Sequence, residues 1–308
     1  MRNLKLHAAA YFNKQRMRNM KSVVNPSNTK ELLKEFNFRM TKSLGQNFLI
    51  DKGILDKIIE GSELTGEDYV LEIGPGMGSM TQKLCDVAGK VVAIEIDKNL
   101  LPVLKVTLEE YDNITIINND VLKVDLKKVF EEHFGDKKVK VVANLPYYIT
   151  TPIIMKLLEE KLNLQSITIM VQKEVGDRIK ATPGGKEYGA LSVAVQYYAK
   201  PSQVLLVPPH SFIPQPEVDS IVLKLDILPK PAVDVESESL FFRVVKASFG
   251  QRRKTLLNAL NAGNLGLSKE QLKEVLSSVG VDENRRGETL SLQEFANITN
   301  KLYKNFIK

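Results

Sequence analysis

The chain of 308 residues contains one cysteine, Cys85, so no internal disulfide can form. A reducing compartment, the cytoplasm, is the expected setting. Cys85 lies in the amphipathic stretch MTQKLCDVA and is expected to pack as a small apolar residue. Histidine is also scarce: His7, His133 and His210 are far apart and show no ligand spacing, so no metal site is expected. No apolar run nears the roughly 20 residues that a membrane helix needs. SITIMVQ and VLLVPP, among the longest, are strand-sized, so no membrane span is expected.

Acidic residues are nearly missing from the N terminus. Residues 1–45 carry ten Lys/Arg against two Asp/Glu, a balance of +8; residues 46–229 carry −6 and residues 230–308 carry +4, for a net +6. An acidic middle between basic ends is the pattern expected where the ends meet a polyanion; solvated surface charge gives the same totals. The basic stretch 1–24 reads as a disordered leader and is set aside from the fold.

Hydrophobic residues make up 43% of the chain, ordinary for a globular protein. Over residues 69–146, short Val/Ile-rich segments (YVLEIG, KVVAIEID, ITIINND, KVKVVANL) alternate with helix-like stretches such as SMTQKLCDVA. Buried strands alternating with helices imply right-handed βαβ units and a parallel sheet, an α/β class. TTPIIMKLLEE is read as a helix with Thr151 at the N-cap and Pro152 at its first position. SQVLLVPP and SIVLKLDIL are read as closing strands. After LPKPAVD the pattern turns helical. Ser268 lies three residues before Gln271 and Ser291 three before Glu294, both with capping-box spacing. The boundary is placed near 229, giving domains 25–229 and 230–308.

EIGPGMG, residues 72–78, follows a predicted strand and opens a helix. Gly74 and Gly76 suit a backbone that must turn tightly beside a ligand. Glu95 ends the second strand, where a carboxylate can accept two hydrogen bonds from a ribose diol. Asp120, ending the third, is placed to accept from an adenine amine. Both acids sit at the strand ends where open α/β sheets bind ligands. No Lys or Arg lies between residues 70 and 82. That absence suits an adenosine without phosphates, and S-adenosyl-L-methionine carries a positive sulfonium; NAD stays open at this point.

NLPY, residues 144–147, ends the fourth strand beside that site. The amine of adenine is a poor nucleophile because its lone pair is delocalised into the ring. The Asn144 side-chain oxygen and a backbone carbonyl of Leu145 or Pro146 can hold its two N–H bonds, aiming the lone pair at a methyl donor. Pro146 fixes φ and offers no competing N–H. Tyr147 can stack on an extruded base. Arg252, Arg253 and Lys254 are read as beginning a helix, with Lys246 two turns earlier. With Arg39 and Lys42 they are candidate phosphate contacts.

KSLGQNFLID, EIGPGMGSMT, IEID, NLPYYITTPI, VQKEVGDRI, GGKEYGALSV, FIPQPEVDS and FGQRRKTLLNAL occur in one order over about residues 25–305. Together they resemble the ribosomal RNA adenine N6,N6-dimethyltransferases, and among these the bacterial small-subunit rRNA dimethyladenosine transferases. The resemblance implies a Rossmann-like S-adenosylmethionine-dependent methyltransferase domain with a mainly parallel seven-stranded sheet. It also implies a small all-helical C-terminal RNA-binding domain. It implies Asn47, Leu49, Gly74, Glu95, Asp120 and Asn144 as donor contacts, and Phe212 as an aromatic wall facing Tyr147. The implied substrate is a pair of adjacent adenosines in the 3′-terminal hairpin of 16S rRNA, within an assembling small subunit. The enzyme is expected to act as a monomer. A 23S rRNA methyltransferase, a non-catalytic relative and an NAD dehydrogenase are the alternatives.

Overall fold

The computed structural model describes residue 23, residues 26–36 and residues 44–307. Arg39, Lys42 and, Val23 apart, the leader 1–24 lie outside the described residues. The chain divides into two compact units, residues 1–173 with 202–225, and residues 174–201 with 226–308.

The first unit is organised by a seven-stranded sheet. Its strands are β2 (Tyr69–Ile73), β3 (Lys90–Glu95), β4 (Ile114–Asn118), β5 (Val139–Asn144), β6 (Leu164–Gln172), β7 (Ala199–Val207) and β9 (Ser220–Ile227), in the order β4-β3-β2-β5-β6-β9-β7. The pairings β3–β4, β2–β3, β2–β5 and β5–β6 are all parallel. The central strands are buried on both faces, which is why they read as unbroken Val/Ile runs. The order reverses between β2 and β5, the switch point where the carboxyl ends of the strands leave a crevice. Register places the site. Ile73 lies opposite both Ile94 and Ala143, so Gly74, Glu95 and Asn144 follow together at the same edge. A two-stranded ribbon pairs β1 (Phe48–Leu49) with β8 (Phe212–Ile213), antiparallel.

Helix α1 (Pro26–Glu35) brings Leu32 into an apolar cluster with Val23, Phe48, Met77 and Leu100. Helix α2 (Lys52–Gly61) is capped by Asp51, whose carboxylate accepts from the Ile54 amide at 3.1 Å. Helix α3 (Ser79–Val87) follows the glycine turn and buries Cys85 in the apolar cluster on one face of the sheet. Burial pushes that thiol up to about 12, so it stays protonated and inert at neutral pH.

The second unit is helical. It contains Ala190–Tyr198, Glu238–Gly250, Leu256–Ala262, Lys269–Ser278 and Leu292–Leu302. Tyr188, Val193, Tyr197, Phe241, Leu260 and Phe295 share one core. Ser268 with Gln271 and Ser291 with Glu294 form the two capping boxes that their spacing predicts.

Two local expectations need correction. The helix expected to start at Pro152 runs from Thr150 to Glu159, so Thr151 is not its cap. A short 3-10 turn over Tyr147–Ile149 leads straight into it, and the Thr150 hydroxyl donates back to the Pro146 carbonyl at 3.0 Å. Arg252–Lys254 do not begin a helix. They lie in the turn between Glu238–Gly250 and Leu256–Ala262, the latter starting after Thr255.

Candidate active site

A cavity opens at the carboxyl edge of β2, β3 and β5. Asn47, Leu49, Gly74, Gly76, Glu95, Asn144, Leu145, Pro146 and Tyr147 all contribute to its wall. Nine residues spread over a hundred positions thus converge on one space.

The glycine turn forms the floor. Gly74 and Gly76 both have positive φ, 71° and 61°, which a side chain would strain. A Cβ on Gly76 would also press the Phe48 ring at 3.1 Å. Glu95, the last residue of β3, is almost fully buried. One of its oxygens accepts from the Gly76 amide at 3.1 Å and the other from the Asp97 amide at 2.8 Å. Burial pushes its pKa up to about 7; these two amides act against the rise and the Asp97 charge adds to it. The carboxylate is therefore anchored at both oxygens, with lone pairs left for a ligand.

A strap of residues 44–49 forms one side. Gln46 donates to the Asp97 carboxylate at 2.9 Å, and the Asn47 carbonyl accepts from the Asn144 side chain at 3.1 Å. The amide NH2 of Asn144 is thereby fixed, which aims its oxygen by default. Among the two proposed backbone acceptors the structure discriminates. The Pro146 carbonyl already accepts from Ile149 N at 3.2 Å and from the Thr150 hydroxyl at 3.0 Å, whereas Leu145 precedes a proline that has no N–H to offer. Tyr147 is half-buried, and its hydroxyl pairs with the Ser220 hydroxyl at 2.7 Å, which sets the ring.

Two expected residues lie elsewhere. Asp120 sits two positions beyond the end of β4, outside the cavity wall; its carboxylate accepts from Leu122 N at 2.9 Å and faces Lys123 at 3.6 Å. Phe212 is 1% exposed and packs in the core with Leu49 and Val222, because the β1–β8 pairing sets it opposite Leu49. It is not part of the cavity wall, whose aromatic surface comes from Phe48 and Tyr147.

Lys246, Arg252, Arg253 and Lys254 are exposed. Arg252 is already committed: it bridges to Glu288 at 3.2 Å and donates to the Lys186 carbonyl at 2.8 Å.

Sequence reasoning passed over Gln46, Ile96 and Glu72, all in the wall. Gln46 had a signal, since it stands inside the GQNFL block. Glu72 opens the EIGPGMG stretch, where the glycines carry the reading. It is fully buried, and neither of its carboxylate oxygens has a hydrogen-bond donor. Burial pushes it up to about 8; the nearby Thr81 hydroxyl, which closes no hydrogen bond to it, pulls the other way, and the Glu95 charge adds to the rise.

The residues fit an adenosine ligand that carries positive charge. The glycine turn leaves the backbone open, Glu95 offers acceptors for a diol, and the orphaned Glu72 carboxyl lies where a cation would be favoured. Among the described residues no Lys or Arg contributes to the wall. Among the described residues no cluster of His, Cys, Asp or Glu is suited to a metal, and no helix is long and apolar enough to cross a membrane.

Comparison with known proteins gives a consistent result. The model of the ribosomal RNA adenine dimethylase family matches residues 37–304. The ribosomal RNA small subunit methyltransferase A of Alkaliphilus oremlandii is 56% identical over 285 residues, 92% of this chain and 99% of the relative. That of Clostridioides difficile is 54% identical, over 88% of this chain and 94% of the relative. Among solved structures, a dimethyladenosine transferase from Plasmodium falciparum superposes with a TM-score of 0.69 at 28% identity, covering 83% of this chain and 98% of its own. The 23S rRNA methyltransferase ErmE superposes with a TM-score of 0.63 at 24% identity, over 83% of this chain and 99% of its own, and so shares the fold.

Proposed function

We propose a specific reaction for this chain from one premise: it belongs to the ribosomal RNA adenine dimethylase family. It is an S-adenosylmethionine-dependent rRNA adenine dimethyltransferase with a Rossmann-like fold. Its substrate is small-subunit rRNA, taken as two adjacent adenosines in the 3′-terminal hairpin of 16S rRNA. Each receives two methyls on N6, in the cytoplasm, on an assembling subunit, with the enzyme acting as a monomer. Support for the small subunit comes from relatives at 52–56% identity that carry that name. Support for N6 comes from the cavity.

The observation that carries the chemistry is the placement of Asn144. Its NH2 is held by the Asn47 carbonyl, so its oxygen is left to accept one N–H of the target amine. The Leu145 carbonyl accepts the other, since Pro146 O is occupied by Ile149 and Thr150. Two acceptors draw the nitrogen toward a pyramidal geometry and direct its lone pair into the cavity. Tyr147 holds the extruded base by stacking, worth about 1–3 kcal/mol. S-adenosylmethionine, when bound, supplies an electrophilic methyl on a positively charged sulfur. Glu95 holds its ribose diol and the strap at Asn47 and Leu49 covers it, with Gly74 and Gly76 leaving room. Asp120 is given the adenine amine on the family pattern, as is Phe212 the second wall; in this structure both stand outside the cavity. No general base is needed, because a methylated ammonium loses its proton readily to water. Alignment and fixed dipoles do the rest.

RNA affinity is assigned to the basic positions. Arg253, Lys254 and Lys246 are available for phosphates, Arg39 and Lys42 belong to the same proposal, and Arg252 acts more as a brace for the turn.

The test is labelled methyl transfer onto small subunits lacking the modification, followed by nucleoside analysis. N6,N6-dimethyladenosine at two adjacent positions of the 16S 3′ hairpin is expected. Label in 23S rRNA, or a single modified adenosine, would overturn the assignment.

A further inference from the structure

Glu72 sits on the central strand β2 and in the cavity wall. Its register neighbours, Ala93 on β3 and Val142 on β5, are apolar. Among the described residues, the ionisable groups that interact with it are Glu95 from β3 and Cys85 from α3. Lys140, two residues before Val142 on the same face of β5, is committed to the Asp68 carboxylate and the Glu63 carbonyl. The Thr81 hydroxyl of α3 lies close enough to act on Glu72 but closes no hydrogen bond to it or to any other group. A lone carboxylate anion in such a wall is strongly disfavoured, so Glu72 is held as the neutral acid, consistent with a pKa near 8. A glutamine would give the same bulk and polarity without an ionisable proton. What an acid adds is the capacity to become an anion once a positive charge occupies the cavity.

We propose that Glu72 distinguishes the cationic donor from the uncharged thioether left after transfer: it gives up its proton when a cation enters the cavity and regains one when that charge is gone. The inference rests on the methyltransferase reading of the site. The O–H bond of Glu72 breaks, its electron pair stays on the carboxylate, and the proton passes to buffer; the reverse step takes a proton from buffer. Glu95 can also lose a proton on binding, but it faces the ribose, which donor and thioether have in common. The difference between the two ligands therefore isolates Glu72.

The test is calorimetric titration of the full chain with S-adenosylmethionine and with S-adenosylhomocysteine, in phosphate and in Tris, from pH 6 to 9. At pH 7 the donor is expected to release close to one proton more than the thioether. Relative to the thioether, its affinity should strengthen about tenfold per pH unit below pH 7 and level off above 8, as expected for one linked proton. Glu72→Gln should erase both differences. Equal proton counts for the two ligands in the wild-type chain would overturn the assignment and leave the methyltransferase reading standing. A difference that persists in Glu72→Gln would do the same. Binding of neither ligand would overturn the methyltransferase reading and this assignment with it.

Discussion

The two ends of the same sheet treat buried charge in opposite ways. At the amino end, Lys140 is 6% exposed, yet its ammonium donates to the Glu63 carbonyl at 2.6 Å and to Asp68 at 3.1 Å. Burial alone would raise Asp68, but the Thr65 amide and hydroxyl, with Lys140, hold it below the usual carboxylate range. Glu63 in turn is lowered by Lys224, 2.7 Å away. At the carboxyl end, Glu72 has no donor and Glu95 has two backbone amides but no cation; both are raised. Matched charge at one end contributes to holding the strands in register. Unpartnered acids at the other are a deficit that a ligand can fill, and such local conflicts concentrate where a protein works.

The largest expected effect comes from breaking the matched end. Lys140→Met leaves the half-buried Asp68 carboxylate with only its Thr65 donors and the Glu63 carbonyl without its ammonium, and should lower stability by about 3 kcal/mol in urea unfolding. Donor affinity of the folded fraction should not change; a shift there would mean that the two ends are coupled. At the other end, Asn144→Ala should reduce methyl transfer roughly 10²–10³-fold, the range for losing one preorganised polar contact in a transition state. Its melting temperature should stay near wild type, and near-normal turnover would remove Asn144 from the mechanism. Glu72→Gln sharpens the contrast through pH. The folded-state pKa of Glu72 is raised, from 4.5 to about 8, so its contribution to stability is complete below pH 4.5 and is lost as pH rises to 8. Wild-type stability should therefore fall over that window, by at most about 1.4 kcal/mol per pH unit for this group. The variant should keep the contribution from Glu95, whose window is narrower and ends near pH 7. The smallest effect is expected for Tyr147→Phe, which keeps the ring and loses the bond to Ser220. A loss of about 1 kcal/mol or less in apparent RNA affinity is expected, read from the salt-matched binding constant.

What could be read from the sequence follows the same division. Gly74, Glu95 and Asn144 were legible because each closes a Val/Ile run, with Gly76 in the turn that follows the first, and strand ends in a parallel sheet gather at one edge. The two capping boxes were legible because their signal spans only three residues. Asn47 and Leu49 came from family resemblance alone. Leu49 lies in β1 and Asn47 just before it; that strand has two residues and pairs with β8 more than 160 positions away, so neither periodicity nor turn chemistry marks it. The same pairing puts Phe212 in the core, which no local pattern announces. Lys140 reads as an outward position in an alternating strand, and its burial depends on Asp68 and Glu63 arriving from another segment. Asp120 was placed at a strand end that falls two residues earlier, at Asn118, because NND continues the polar stretch without a break.

The route of the chain bears on how the gene can vary. Residues 174–201 leave the sheet after β6, join the helical core through Tyr188, Val193 and Tyr197, and return for β7. A stop codon near position 230 would not simply delete an appendage. It would strip Phe241, Leu260 and Phe295 from a shared core and leave three large side chains uncovered in the middle of what remained. Shortened relatives or engineered fragments would need new polar residues along that excursion, or a shorter path from β6 to β7, before they could leave the ribosome without clumping.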